Sequence, residues 1–319
     1  MIDLNIRILS MSEYPLWDEL VIKSPHGTTF HTSSWITKNA EIFLTKEILF
    51  GCFINENLVA GCQIYSDKKY HLISTGISNL PMTPYGGFVL SLPQNFMCRK
   101  LEKTHNNYIS ALNNELIKKF DYINIINSPE LSDIRQFIWT GWKPSIYYAY
   151  HVNLNDHSEK NLSRNILRFN RKAKKLGITV KKEFDPNLFF ELYKTTFNRK
   201  LLNTPLSKNR LSKMMDMIIE KNMGEMWIAK TLHGEPAAAE IIIGDTKLAH
   251  RWSAASDSQF NHTGAAILLL TEIFYDLKKR GFQEINCMSA NTPELTNFIT
   301  AFNPRLKPYY GVEFNKYLG

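Results

Sequence analysis

The chain has 319 residues, 44% of them hydrophobic and 21% charged, with a formal net charge of +8. That balance excludes disordered, collagen-like and disulfide-scaffold chains, and the length favours two domains, each large enough for its own core. The basic excess points to an anionic ligand without naming one. The four cysteines, Cys52, Cys62, Cys98 and Cys287, form no C-x-x-C pair. Three of them sit in predicted strands and read as buried thiols, so neither a metal nor a disulfide is expected.

The N-terminus shows no signal-peptide core, and no apolar run is long enough to span a bilayer, so a cytoplasmic protein without a transmembrane segment is expected. A short helix is predicted around 15–22. Thr32 or Ser33 is a fitting N-cap for a second helix to about 43. A strand–turn–strand unit over 49–65 follows, then a third strand and a Pro/Gly-punctuated loop, Pro81 to Phe88. A helix over about 95–120, a strand at 121–126, a helix at 130–139 and a strand at 146–154 complete the first half.

Residues 158–176 are chemically unusual. Leu162, Ile166, Phe169 and Ala173 recur at spacings of four, three and four, which is one helical stripe. Arg164, Arg168, Arg171 and Lys175 repeat the same spacings and share a second face. No acidic residue lies between Asn161 and Val180 to pair with them. Like charges at these spacings repel by a few tenths of a kcal/mol per pair, and bound phosphate relieves that repulsion. Gly177 should end this helix. The plainer alternative is a solvated basic face on a connecting helix.

The second half repeats the plan of the first. Helices are predicted at 186–198 and 207–221, a meander at 226–254, and a polar loop at 253–266 that enters an apolar helix ending near Arg280. A strand at 282–288, a helix at 293–302 and an aromatic strand at 309–314 follow. Sequence correspondences support the duplication. Leu49 to Tyr65 matches Met226 to Ile243, and an Asp-containing turn follows each (Asp67; Asp245-Thr246). Asp121 to Ile125 matches Gln283 to Cys287, and Ser128-Pro129-Glu130-Leu131 matches Thr292-Pro293-Glu294-Leu295. Each half is expected to close on its own aromatic strand, and the two copies to share one active-site cleft.

A strand that runs through a small polar loop into a helix is a natural pyrophosphate site, because free N–H groups and the helix dipole favour anions there. Gln259-Phe260-Asn261-His262-Thr263-Gly264 resembles the Gln/Arg-x-x-Gly-x-Gly/Ala loop of the GNAT acyltransferase fold, with His262 at the first glycine position. The whole chain is similar to the FemAB-like acyltransferases, which are built from two GNAT-like domains. The matching residues are Trp17, Phe30-His31-Thr32-Ser33-Ser34-Trp35, Pro84-Tyr85-Gly86-Gly87, Arg164 to Ile178, Gly234-Glu235-Pro236-Ala237-Ala238 and Ala249 to Ser256, with the ending from Phe298 to Pro308.

The resemblance implies an α+β fold of two tandem GNAT-like domains: 1–155, a basic linking helix 156–177, and 178–319. It implies transfer of an acyl group from an activated donor to an amine on a cell-envelope or nucleotide-linked glycan precursor. The donor is expected to be acyl-CoA, since no long coiled-coil insertion of the kind carried by some aminoacyl-tRNA-dependent members is present. Gln259, His262, Thr263, Gly264 and Ala265 would bind the donor, weakly and more tightly as His262 gains a proton. Gly264 would let the pyrophosphate approach closely. Glu240 and His250 are the candidate bases, and backbone N–H groups near Trp252 to Ala255 the oxyanion donors. Arg164, Arg168, Arg171, Lys175, Tyr85 and His31 would serve the phosphate-bearing acceptor. An aminoacyl-tRNA donor, a catalytically inactive binding module and, third, a nucleic-acid-binding role are the alternatives.

Overall fold

The computed structural model describes residues 3–317 apart from 70–72, 93–97, 157–161, 200, 245–247 and 292. Residues 158–161 of the basic segment, the Asp245-Thr246 turn and Thr292, all used above, lie outside the described residues. The first half runs β1 (Asn5–Ile8), α1 (Tyr14–Lys23), α2 (Ser33–Phe43), β2 (Lys46–Ile54), β3 (Asn57–Lys69), β4 (Ile73–Ile77), β5 (Phe88–Leu90), α3 (Cys98–Lys119), β6 (Tyr122–Ile126), α4 (Arg135–Trp139) and β7 (Lys143–Asn153). Then come α5 (Arg164–Lys175), β8 (Thr179–Lys182), α6 (Pro186–Asn198), α7 (Lys208–Glu220), β9 (Gly224–Lys230) and β10 (Pro236–Gly244). The chain ends with β11 (Ala249–Ser256), α8 (Ala265–Lys279), β12 (Glu284–Ser289), α9 (Pro293–Ile299) and β13 (Arg305–Asn315).

Two compact units result: residues 1–147 with 308–319, and residues 148–307. In the first unit the strands lie in the order β1-β2-β3-β4-β6-β13, with β5 also on β3. In the second the order is β8-β9-β10-β11-β12-β7. Both sheets are antiparallel except for one parallel pair, β4 with β6 and β11 with β12. The same plan twice is the duplication expected from the sequence.

The closing strands are exchanged, and this corrects the boundaries drawn from sequence. Residues 308–319 belong to the first unit, and Gly311 to Asn315 of β13 pair with β6, Val312 opposite Ile125. The end of β7 pairs with β12, Val152 opposite Ile285. The basic helix α5 belongs to the second unit rather than standing between two domains. Alternating aromatic residues mark a strand, but they do not specify which edge it joins.

Helix ends follow local chemistry. Thr32 caps α2 through its side chain, Ser163 caps α5, Asp185 caps α6 and Ser207 caps α7. After α5 the chain turns at Gly177, whose φ of +71° disfavours a residue with a Cβ. The cores are assembled from helical stripes. Tyr108, Ile109, Leu112 and Leu116 of α3 are buried in the first unit. Leu269, Ile273, Phe274 and Leu277 of α8 are buried in the second. Burying each such aliphatic or aromatic side chain contributes roughly 1.5–3 kcal/mol.

One polar cluster lies beside the exchanged strand of the second unit. His151 of β7 is fully buried, and its Nδ1 lies 3.0 Å from the Glu284 carboxylate, which also meets Arg305 at 2.8 Å and Lys307 at 3.1 Å. Burial by itself would raise the Glu284 pKa. The hydrogen bond and charge of His151, with Lys307, outweigh it and bring the value down to about 2 from an ordinary 4.5. A depressed carboxyl contributes stability that is whole above pH 4.5 and lost as pH falls toward 2. Glu284→Gln should therefore flatten the fall in urea midpoint over that window; an unchanged acid profile would contradict the assignment.

Candidate active site

The site begins with a misalignment between two strands. Along β10 and β11, Glu240 pairs with Ala254 and Ile241 with Ser253, but Ile242 pairs with Arg251, so Trp252 has no opposite residue. Directly opposed residues share a face, and alternate residues along a strand share it too. The bulge therefore moves Arg251 onto the face of Glu240; in continuous register it would point the other way. The two side chains form a bidentate ion pair, Nε to Oε2 at 2.6 Å and Nη2 to Oε1 at 2.7 Å. Arg251 also stacks on Phe298, 5.4 Å from the ring centre.

Beyond the bulge the sheet opens. The parallel ladder of β11 with β12 consists of Ala249 with Ile285 and His250 with Asn286. β11 continues to Ser256 without a further partner on that side among the described residues. At its end the Ser256 N–H donates to Thr196 Oγ1 at 3.0 Å; the oxyanion donors expected from sequence lie between the ladder and this bond.

A cavity of about 890 Å³ lies in this unit. Its wall includes Ala237, Ala238, Glu240, Arg251, Ala254, Ala255, Ser256, Phe260 and Phe298, and Gly264 to Ile267 at the start of α8. Gly264 has φ +83° and caps α8. Thr263 Oγ1 accepts the Ala265 N–H at 3.1 Å, and the first intrahelical bond is Leu268 N–H to Gly264 O at 2.9 Å. The next two residues, Ala266 and Ile267, line the pocket at positions whose N–H groups have no intrahelical acceptor. With the helix dipole they offer an anion a positive wall.

The structure gives several predicted residues other surroundings. A Cβ on Gly264 would lie 2.7 Å from the Phe169 carbonyl oxygen. The glycine is thus required by the close packing of α5, not by pyrophosphate access. Gln259 is exposed, its side chain held to Asp257 at 3.0 Å, and His262 is exposed with Nδ1 2.9 Å from the Gln259 carbonyl. Neither lines the cavity, so the pH-dependent donor binding expected from His262 loses its geometric basis. Thr263 is buried and caps. Glu240 is only 2% exposed, with both oxygens held by Arg251, so it is a partner of the guanidinium rather than a free base. His250 lies one residue before Arg251 and pairs with Ile243, which puts it on the opposite face, fully buried and outside the cavity wall.

The basic face of α5 is exposed at Arg164, Arg168, Arg171 and Lys175. Its apolar stripe packs on α8, where Asn170 Nδ2 donates to Thr271 Oγ1 at 3.1 Å. Lys174 meets Glu272 at 3.3 Å; among the described residues no carboxylate pairs with the four face residues.

In the first unit the corresponding opening is closed. Past the β4–β6 ladder, Ser78 N–H donates to Asn124 O, Ile126 N–H to Ser78 Oγ at 2.8 Å, and Gly86 N–H to Ile126 O at 2.9 Å. The loop from Ser78 to Phe88 fills the gap between the strands. Tyr85 of this loop is 1% exposed, edge-on to Phe30 and Tyr309. His31 is fully buried; its Nδ1 accepts the Thr28 N–H at 3.3 Å and its carbonyl accepts Trp17 Nε1–H at 2.6 Å. Burial pushes its pKa down to about 4, and the Gly86 backbone offsets part of that effect. Both residues hold the first unit together.

Sequence reasoning missed Arg251 as a site residue, together with Phe298 and Arg199, which also line the cavity. Only the bulge identifies Arg251, and no residue pattern announces a bulge.

The family model for the acetyltransferase (GNAT) domain matches residues 160–294. A search of the curated proteins finds no match. Among solved structures, FemX superposes with a TM-score of 0.70 at 11% identity, covering 96% of each chain. The C-terminal domain of a putative lysylphosphatidylglycerol synthetase from Agrobacterium fabrum gives 0.58 at 10%, covering 95% of this chain and 92% of that one. A tandem GNAT protein from the clavulanic acid biosynthesis pathway gives 0.58 at 9%, covering 98% and 99%. Identities this low show the fold alone. The chain thus has the tandem GNAT fold, shared over nearly its whole length with FemX, and its residues 160–294 match the acetyltransferase (GNAT) domain.

Proposed function

We propose that this chain moves an acyl group from acyl-CoA to an amine on a cell-envelope or nucleotide-linked glycan precursor, and that the donor binds in the second unit. The observation that carries this reading is the cavity into which α8 opens beside β11, past the end of its ladder with β12. A pyrophosphate would lie at Ala265 to Ile267, where the helix start favours it. The pantetheine arm would run along the alanines of β10 and β11. The thioester carbonyl would then reach the N–H groups of Trp252 to Ala255, which would stabilise the developing oxyanion. The neutral amine attacks that carbonyl, the C–S bond breaks, the thiolate leaves and the ammonium proton passes to solvent. Placement alone supplies several kcal/mol of such a barrier.

Arg164, Arg168, Arg171 and Lys175 are assigned to phosphate, the donor's or the acceptor's. Arg168→Ala with Arg171→Ala should raise the apparent KM about tenfold or more, since charge-assisted contacts contribute about 1.5–3 kcal/mol each. Both residues are exposed, so stability should stay within about 0.5 kcal/mol. Steady-state kinetics with thermal melts checks this, and an unchanged KM would remove the face from the site.

Calorimetry with free CoA and acetyl-CoA tests the donor. The unpaired basic face favours one second reading, an aminoacyl-tRNA donor. Binding of aminoacyl-tRNA without binding of CoA would select it, and binding of neither would leave a non-catalytic module. No described helix is long and apolar enough to cross a membrane.

A further inference from the structure

The cavity wall beside the end of the parallel ladder is charged, although its neighbours Ala237, Ala238, Ala254 and Ala255 are apolar. A plain alkyl acyl group would gain most from an apolar wall there. A buried ion pair is also weak support for a fold, because well-packed apolar residues in its place are often neutral or better. The pair therefore calls for a reason outside stability.

Its geometry supplies one. Arg251 spends Nε–H and one Nη2–H on Glu240. A guanidinium has five N–H groups, so three remain, and none has an acceptor among the described residues. The Arg251 side chain is 11% exposed and that of Glu240 2%, so the arginine is the member that meets the cavity. Phe298 lies over the guanidinium, which leaves its in-plane donors for a ligand oxygen. Arg251 is also one residue past His250, the last residue of β11 in the parallel ladder, where the acyl end of a donor lying along β11 would arrive.

Resting on the donor reading above, we propose that Arg251 selects the acyl group: the preferred donor carries a neutral hydroxyl or carbonyl oxygen beyond the thioester carbonyl. Glu240 is the positioning residue that fixes the guanidinium. It also makes the pair neutral, so a carboxylate on the acyl group would give up its hydration without a net positive charge to offset that cost, and gain less than a neutral oxygen. A site built to hydrogen-bond a substrate oxygen rejects the analogue that lacks it, because its own donors are then left unpaired.

The experiment is calorimetry of CoA, butyryl-CoA, 3-hydroxybutyryl-CoA and succinyl-CoA with the full chain. The hydroxylated donor should bind about tenfold more tightly than butyryl-CoA, and more tightly than succinyl-CoA. In the double variant Glu240→Leu/Arg251→Met the ratio of hydroxylated to plain donor should fall to about one. Arg251→Lys keeps the charge but loses the fork, and should lower the ratio if the double variant does not fold. A ratio near one in the wild type, with all thioesters bound, overturns the inference and leaves the donor reading standing. So does a ratio that persists in the double variant, or tighter binding of succinyl-CoA. If no CoA species binds the wild type, the donor reading itself fails and this inference falls with it.

Discussion

Arg251→Met should lose about 3–5 kcal/mol of unfolding free energy, and Glu240→Leu added to it should restore most of the loss. Removing one partner of a buried pair strands the other charge in a medium that cannot solvate it, and that is the cost expected. Glu240 is 2% exposed and both its oxygens are bonded to Arg251, so its charge depends on the guanidinium for compensation. Taking away both charges removes the stranded group, and apolar replacements of similar size have no desolvation to overcome. Urea unfolding of the wild type, the single and the double variant measures both steps. The order distinguishes a pair kept for ligand recognition from one kept for the fold. A double variant as unstable as the single one would mean that the pair organises the β10–β11 bulge itself. A single variant as stable as the wild type would mean that Glu240 is solvated in solution.

Much of this fold could be read from the sequence because the physics is local. The N-caps at Thr32 and Ser163, the left-handed turn at Gly177 and the stripe of α5 each depend on residues a few positions apart. The two meanders were legible from alternation and turn residues, and their recurrence in order gave the duplication. The exchange of closing strands was not legible. Residues 147–152 and 309–314 are both aromatic and alternating, and either could pair with β6 or β12 on pattern alone.

The site was legible where backbone chemistry defines it and illegible where side-chain direction does. The start of α8 follows from a strand, a polar loop and a glycine, and Ala265 at that start lines the cavity. His250 and Arg251 are neighbours in sequence, and one inserted residue, Trp252, determines which of them faces the cavity. His31 and Tyr85 failed as site residues for another reason. In the first unit the loop through Gly86 fills the space that stays open in the second, and a filled opening needs buried polar and aromatic side chains to hold it.

Gly264→Val should cost at least about 2–3 kcal/mol and abolish donor binding as a consequence of the damage. At φ +83° a β-branched residue is strained, with a cost of order 1–3 kcal/mol. Its Cβ would also lie 2.7 Å from the Phe169 oxygen and 3.2 Å from the Phe169 carbonyl carbon. Those are backbone atoms of α5 and cannot swing away, so either α5 moves off α8 or the turn from Ser258 to Thr263 rearranges. Loss of binding in this variant alone would say nothing about an anion site. Ala266→Asp separates the two effects. It puts a carboxylate in the first turn of α8, where it suits the helix dipole, and at the cavity wall, where it opposes a bound pyrophosphate. The melting temperature of Ala266→Asp should match or exceed that of the wild type while acetyl-CoA affinity falls about tenfold or more. Wild-type affinity in Ala266→Asp would move the phosphates away from α8. A wild-type unfolding midpoint in Gly264→Val would show that the approach of Phe169 to this turn is loose enough to yield.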